Sequence, residues 1–481
     1  AAHADWLLPA TTWGEKDGTV TNSERRISRV RRAVPPPGQA RDDWCIAVDV
    51  ARRLEQRLPP RRADGATLFP FDTAEAAWLE HREATRGRDL DITGLDWAML
   101  ERAPQAWPCP QGQAEGTARL YAGGRFATPD GRARFVAPAW QPPAEPRDAR
   151  HPVSLTTGRL RDQWHGGSRS GLLGRLFAHA PEPTLDLHPQ ELARRHWRDG
   201  DLVRVQSRRG SLVLPVRGTD AVAPAQAFVA MHWGPEWLAG GGVNGLTTTA
   251  RCPQSRQPEL KHTAVRLERA ELPWRLLAAA WLPAEQAMAA LAALRAQYGA
   301  FGYATAVPFG REPEAQVGVL LRAAAPAPVA DAVHAAIEQA LGLDPGPALR
   351  YADPRGGRQR VLRLAGDGTL QALLLAGDDT PPPWVLDLLQ QRAPAAGFGR
   401  ALLAAGPRPP QPLPTRSPQV CNCLDVSQAR IVAVAAQCQG DGEQRLQQLQ
   451  QALRCGTQCG SCLPALKTLL QQHPAPEAQT A

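Results

Sequence analysis

The amino-acid sequence predicts a multidomain α+β protein, and three features carry that prediction. From Val153 to Glu268 run six short apolar segments punctuated by Gly and Pro, the texture of a small barrel. The stretch after it reads strand, helix, strand, strand, helix, strand, the order of a ferredoxin-like split βαβ unit. Near the C-terminus, four cysteines in two tight pairs frame helix-like segments. A chain of 481 residues, 43% hydrophobic and 21% charged, is long enough to bury several such cores.

The chain starts without Met, inside what reads as a structured segment. Trp6–Leu8 is predicted as a short strand ended by Pro9. A glycine-punctuated loop bearing Glu15, Lys16, Asp17, Asn22 and Glu24 follows. Nothing precedes that strand to pair with it, so the expectation is the C-terminal part of a longer protein. After the PPPG of Pro35–Gly38, Asp42 and Asp43 are expected to cap a helix with Trp44, Ala47, Val48 and Leu54 on one face. Residues 59–145 are mixed and Pro-rich. They hold a short helix around Thr73–Arg86, then a turn at Thr128–Gly131 leading into a strand at Ala133–Ala137. Pro and charge cluster at Gln141–His151, a domain boundary.

The barrel strands are expected at Val153–Thr157, Thr184–Leu187, Leu202–Ser207, Leu212–Arg217, Ala227–His232 and Ala264–Glu268. Arg208, Arg209 and Gly210 turn one hairpin. The split βαβ unit is expected as Arg275–Trp281, helix Ala284–Tyr298, Tyr303–Val307, Val317–Arg322, helix Ala327–Leu341 and Ala348–Tyr351. A hairpin (Arg360–Leu364, Leu370–Leu375) and a helix from Trp384 come next. A Pro-rich linker, PRPPQPLPTRSP, then tethers the cysteine segment semi-rigidly.

In that segment Cys421 and Cys423 form C-x-C, and Cys459 and Cys462 form C-x-x-C. Residues two or three apart across a tight turn can both aim sulfur at one centre. Gly456, Gly460 and Ser461 let the backbone approach and offer N–H groups to it. Asp425 or Ser427 can cap a helix after the first pair. Pro464 fits the first turn of a helix through Ala465–Leu470, whose positive end faces the thiolates. Thiolate quartets hold zinc or an iron–sulfur cluster. Zinc ribbons repeat C-x-x-C twice, whereas the first pair here is C-x-C, which favours [2Fe–2S]; a disulfide pair is the third reading. Cys455 reads as a spectator or small core residue, and Cys438 as part of an apolar helix face. Cys45, Cys109 and Cys252 stand alone, as buried small hydrophobes do.

The net charge of +8 could suggest nucleic acid, yet the basic residues are scattered and aromatics do not interleave with them. Nucleic acid is therefore not an expected partner. No apolar run reaches membrane-spanning length, since Leu276–Leu282 stops at Pro283, and no secretory leader is visible. A diffuse positive field suits a small anionic substrate or an acidic electron donor.

Within the barrel, TTGRLRDQWHGGSR (Thr156–Arg169) gathers Gly, Arg, Gln, Trp, His and Ser in one loop after a strand. Arg159 can grip phosphate or carboxylate with two parallel bonds, Trp164 offers a flat face, and His165 a donor. On composition alone the loop also fits a solvated turn with an exposed aromatic. GGGVNGLTTT (Gly240–Thr249) bears Asn244, and PELKHTAV (Pro258–Val265) bears Lys261, one of only three lysines.

Two resemblances follow. VCNCLDVSQARI and CGTQCGSCLPALKTLL resemble the bacterioferritin-associated-ferredoxin type of [2Fe–2S] domain, which implies Cys421, Cys423, Cys459 and Cys462 as ligands. The TGR–x–x–x–x–WH, VNxLT and PExK motifs, with WGEKDGTVTNSERRISR, resemble the molybdopterin-dependent oxidoreductases of the dimethyl-sulfoxide-reductase superfamily. That resemblance implies a double-psi β-barrel clasping bis(molybdopterin guanine dinucleotide) molybdenum. The residues contacting it would be Thr157, Gly158, Arg159, Gln163, Trp164, His165, Asn244 and Lys261, with Trp233 lining the pocket.

The implied layout is the end of an α/β molybdopterin domain over 1–147, the barrel over 148–270, a ferredoxin-like insert and linker over 271–412, and the [2Fe–2S] domain over 415–475. This combination looks most like the C-terminal half of bacterial assimilatory nitrate reductase catalytic subunits. It implies cytoplasmic reduction of nitrate to nitrite, with electrons from a ferredoxin, a flavodoxin or an NADH-linked reductase subunit. The molybdenum-ligating side chain and a [4Fe–4S] centre would lie outside this chain. The rival readings are a formate-dehydrogenase-like fragment and a non-enzymatic electron-transfer module. The expected role of 271–412 is docking or spacing.

Overall fold

The computed structural model describes residues 4–310, 315–344, 346–378, 382–404, 406, 408–413 and 417–474, in two compact units, 1–139 and 140–481. The predicted linker falls partly outside these residues, at 407 and 414–416. Among the described residues, no helix is long and apolar enough to cross a membrane.

In the first unit, β1 (Gly18–Thr21), β2 (Arg26–Val30) and β3 (Gln105–Ala106) form an antiparallel sheet. Ile27, Trp78, Leu95, Met99 and Cys109 make the small core over it. Helix α1 (Asp43–Glu55) forms where its apolar stripe predicts, but none of its residues is fully buried. Asp42 occupies the cap position without capping; its carboxylate instead accepts from the Thr11 hydroxyl at 2.9 Å and from Arg32 at 3.4 Å. In α2 (Ala74–Glu83) the Thr73 hydroxyl does accept from the Ala76 N–H. Helix α3 (Trp97–Arg102) completes the unit. Two predicted strands are absent. Trp6–Leu8 and Ala133–Ala137 are extended and unpaired, with Trp6 and Phe135 almost wholly exposed. Apolar residues without a hydrogen-bonding neighbour do not make a strand.

The second unit opens with a closed six-stranded barrel: β4 (Val153–Gly158), β5 (Leu185–Leu187), β6 (Leu202–Gln206), β7 (Ser211–Gly218), β8 (Gln226–Ala230) and β9 (Thr263–Arg269), with α4 (Pro189–Arg195) between β5 and β6. All six lie where the sequence places them. Around the barrel the order is β4-β8-β5-β7-β6-β9; the pairs β4–β8 and β5–β7 are parallel and the rest antiparallel. Closure leaves no sheet edge unpaired.

The region after the barrel is a six-stranded antiparallel sheet of order β11-β12-β10-β15-β14-β13. Its elements are β10 (Trp274–Pro283), α5 (Ala284–Arg295), β11 (Tyr303–Phe309), β12 (Gln316–Ala325), α6 (Asp331–Ala340), β13 (Leu349–Asp353), β14 (Arg358–Leu364) and β15 (Leu370–Asp378), then α7 (Pro383–Gln391) and α8 (Ala401–Ala404). A ferredoxin-like order would seat β13 beside β10. The structure instead seats β15 there and leaves β13 on the edge. The reason is burial. Ala372–Ala376 of β15 are apolar and at most 1% exposed, whereas β13 is LRYAD and mostly exposed. A strand covered on both faces belongs in the centre.

Period-two alternation splits β10 between two cores. Leu276, Ala278, Ala280 and Leu282 pack under α5 and α6. Leu277, Ala279 and Trp281 face a core continuous with the barrel. The barrel and the sheet are thus welded by shared apolar packing.

The last segment has a core of its own, built from Val420, Ile431, Leu449, Leu466 and the thiols of Cys421, Cys438, Cys455 and Cys462. It comprises β16 (Gln419–Cys421), β17 (Val426–Ser427), α9 (Gln428–Ala435), α10 (Gly442–Leu453) and α11 (Leu463–Gln472). Ser427, one of the two expected caps, accepts from Arg430, and Pro464 sits in the first turn of α11.

Candidate functional site

The loop leaving β4 is shaped by two close approaches. A Cβ on Gly158 would stand 2.8 Å from the Phe228 ring, so only glycine fits at that crossing. Thr157 is turned inward; its hydroxyl donates to the Leu260 carbonyl at 2.7 Å, while its own carbonyl accepts from Lys261 Nζ at 3.1 Å. The two distant motifs therefore meet. Arg159 lies 5.2 Å above the Trp164 ring, and His165, at φ +46°, meets that ring edge-on. Arg159 makes no hydrogen bond among the described residues, and Trp164 is 52% exposed. Gln163 points the other way. Its buried amide accepts from the Ser170 hydroxyl at 2.7 Å and donates to the Leu176 carbonyl at 3.2 Å, holding the loop's return.

Trp233 is fully buried, packed against Phe177, and lines a cavity of about 110 Å³ with Leu160, Asp186, Arg217 and Phe228. Asn244 is exposed on a single turn that the Val243 N–H ties to the Trp233 carbonyl at 3.0 Å; among the described residues its side chain makes no hydrogen bond. The structure thus brings Thr157, Gly158, Arg159, Trp164 and His165 of one loop to Lys261, with Gln163 turned inward and Asn244 on the turn next to Trp233.

His232 is a member the sequence did not disclose. The Leu160 N–H donates to its Nε2 at 3.0 Å, so Nε2 is bare and the proton sits on Nδ1, which donates to the His165 carbonyl. Burial pushes its pKa down, and the nearby Arg159 adds to this, which matches a neutral ring. The result is a loop pinned at both ends, presenting an unengaged guanidinium, a half-exposed indole face and a lysine with spare donors. That set fits a planar ligand carrying phosphate.

The four cysteines form the second centre. Cys421 and Cys423 Sγ are 3.6 Å apart, and Cys423 and Cys459 Sγ 3.7 Å apart. The Cys462 thiol interacts with Cys421. Cys462 also lies within electrostatic reach of Cys423 and Cys459, so the four sulfurs form one cluster. A thiolate quartet of this kind holds a zinc ion or an iron–sulfur cluster. Burial raises the Cys421 and Cys462 thiols and pushes Cys423 up to about 11. Cys459 is exposed, and the hydroxyl and N–H of Ser461 pull it down. Cys455 is wholly buried and pushed to about 11 by burial; Cys438 is buried and donates to the Val434 carbonyl. Of the isolated thiols, Cys109 is buried but Cys252 is exposed, contrary to expectation.

These shifts predict an order of modification. In the metal-free chain at pH 8, iodoacetamide modifies Cys459, with exposed Cys252, well before Cys423. Only about one Cys423 thiol in a thousand is then ionised. Raising the pH toward 11 narrows the gap, which peptide mass spectrometry reads directly.

Comparison with known proteins bears on both centres. Residues 153–264 match the molydopterin dinucleotide binding domain, 1–53 the molybdopterin oxidoreductase family, and 419–472 the BFD-like [2Fe-2S] binding domain. A nitrate reductase of Klebsiella oxytoca is 32% identical over 96% of this chain and 50% of its own length. The assimilatory nitrate reductase catalytic subunit of Bacillus subtilis is 33% identical over 56% of this chain and 36% of its own. An F420-dependent formate dehydrogenase subunit alpha of Methanocaldococcus jannaschii is 32% identical over 55% and 37%. The chain spans half the length, or less, of these curated relatives. One chain thus joins a segment matching the molybdopterin oxidoreductase family, a molydopterin dinucleotide binding domain and a terminal BFD-like [2Fe-2S] binding domain.

Proposed function

We propose that this chain is the cofactor-clasping and electron-receiving part of a molybdenum-dependent assimilatory nitrate reductase. The observation that carries the reading is the pairing, in one chain, of the Arg159–Trp164–Lys261 surface with four clustered sulfurs. Similarity to a nitrate reductase over 96% of the chain supports it. When bound, the molybdenum cofactor supplies the two-electron chemistry that turns nitrate into nitrite. The residues of this chain orient it. Arg159 and Lys261 take its phosphates, Trp164 lies against a ring, and Gln163, Trp233 and His232 hold the loop from beneath. Asn244 extends the surface along the adjacent turn. Cys421, Cys423, Cys459 and Cys462 hold the [2Fe–2S] cluster. That cluster would take electrons one at a time from a ferredoxin, a flavodoxin or an NADH-linked reductase subunit in the cytoplasm. The two parallel strand pairs support the double-psi reading of residues 148–270, with 271–412 as a docking platform and 415–475 as the cluster domain. The molybdenum ligand is assigned to no residue of this chain.

Expressed without oxygen, the chain should bind one [2Fe–2S] cluster, seen by EPR after reduction, and should not turn nitrate over with a reduced dye. A colourless product with stoichiometric zinc would overturn the cluster; turnover by this chain alone would place a molybdenum ligand within it. The formate dehydrogenase relative keeps a second reading in play. The complete enzyme carrying this chain would then oxidise formate and leave nitrate untouched.

A further inference from the structure

Three barrel residues that the cofactor reading does not use meet beside the cluster domain. His179 Nε2 stands 2.8 Å from the Gln419 carbonyl, and its Nδ1 is 2.8 Å from the Asn422 side-chain amide. Asn422 is buried and lies between the two cysteines of C-x-C. Arg161 Nη2 donates to the Val420 carbonyl at 3.0 Å and lies 2.8 and 2.9 Å from the two ring nitrogens of His179. Asp162, its side chain 9% exposed, braces both, 2.5 Å from His179 Nδ1 and 3.5 Å from Arg161 Nε. Arg161 and Asp162 belong to the same loop as Arg159 and Trp164. The Val420 and Gln419 carbonyls that Arg161 and His179 grip sit immediately before Cys421.

These contacts matter because little else holds the two parts together. The cluster domain has its own apolar core, and among the described residues none of its helices or strands packs extensively against the barrel or the sheet. Domains joined by a small polar contact move relative to one another by default. Beside the contact lies a cavity of about 280 Å³ lined by Arg175, Trp281, Arg322 and Gln419, so the junction is not filled by packing either.

We propose that Arg161, Asp162 and His179 form a latch that docks the Cys421–Cys423 loop on the barrel loop bearing Arg159 and Trp164. They are positioning residues for passing electrons from the cluster toward the molybdenum cofactor, a role that rests on the proposed function above. With the latch closed, the cluster sits at one separation from the barrel; with it broken, the polar contacts that fix that separation are gone. The Arg161 cation is paired with the Asp162 carboxylate, so removing it alone leaves the carboxylate beside the cluster loop and disfavours the reduced, more negative cluster.

The test uses the full chain, loaded with iron and sulfide, with a specific protease sequence placed within 407–416. After cleavage, the wild-type pieces should co-elute in gel filtration. The pair Arg161→Ala and His179→Ala should weaken their association about tenfold or more, from the loss of charge-assisted bonds. The cluster's midpoint potential, followed by EPR, should fall in the same variant, and Arg161→Lys should restore much of it. Pieces that stay together as firmly in the variants as in the wild type overturn the latch. If the double variant fails to fold by circular dichroism, each single substitution carries the same comparison. A wild-type chain without a cluster signal overturns the cluster reading instead, and co-elution still decides the latch.

Discussion

Cys462→Ala should abolish the [2Fe–2S] cluster while leaving the barrel folded. Cys462 is 1% exposed, precedes the first turn of α11 and adjoins Cys421, so its loss leaves three sulfurs and an open corner. Alanine cannot replace the ligand, and water reaches the exposed Cys459 side easily. Because a small domain's metal-binding energy is largely its folding energy, the cluster domain should lose about 3 kcal/mol or more of stability. Its separate core confines the damage: the barrel and sheet share packing with each other and not with the cluster domain. Cys455→Ala is the control. That thiol is equally buried, but as packing its loss costs about 1–2 kcal/mol and leaves the cluster in place. Iron and sulfide analysis, EPR of the reduced protein and two-step thermal unfolding read all three effects. A cluster that survives in Cys462→Ala and vanishes in Cys455→Ala would exchange the two roles.

Much of this arrangement is legible from local pattern. Each barrel strand is a short apolar run closed by Gly or Pro, and such runs name themselves. The two C-terminal cysteine pairs, the Ser427 cap and the Pro464 start are likewise local features. What local pattern leaves open is pairing. The order β-α-β-β-α-β points to a ferredoxin-like sheet with β13 beside β10, yet β15 takes that place. The difference between QALLLA and LRYAD in hydrophobicity carries the answer, but only once the hairpin is allowed to fold back into the sheet. Trp6–Leu8 and 133–137 show the converse, apolar composition with nothing beside it to pair with.

The site divides the same way. Thr157, Gly158, Arg159, Gln163, Trp164 and His165 are contiguous, so one loop discloses them. Gln163 nonetheless turns into the fold, because a motif gives residue type and not direction. His232 and His179 bond across 67 and more residues, and no spacing rule finds them. A histidine at the end of a barrel strand, followed by Trp233, was the one available signal.

Lys261→Ala and Arg159→Ala should each weaken binding of the molybdopterin guanine dinucleotide about 10- to 100-fold, the range of one charge-assisted contact. Both side chains are exposed, so the fold should tolerate their loss, with unfolding temperature nearly unchanged. Lys261 spends one N–H on the Thr157 carbonyl and keeps the others for an anion; Arg159 spends none on the described protein. The two should differ in what rescues them. Lys261→Arg retains the charge but spreads it over a wider fork, restoring only part of the affinity, and added salt should weaken the wild type toward the variants. Gln163→Ala makes the contrast. Its buried amide ties Ser170 to Leu176, so the substitution should cost about 1–3 kcal/mol of stability, and cofactor loss should follow only from loosening of the loop. Molybdenum and pterin content of the complete enzyme, set beside thermal unfolding of each variant, separates the two cases. Unchanged pterin content in both Lys261→Ala and Arg159→Ala would remove this loop from the cofactor and leave it an ordinary solvated turn.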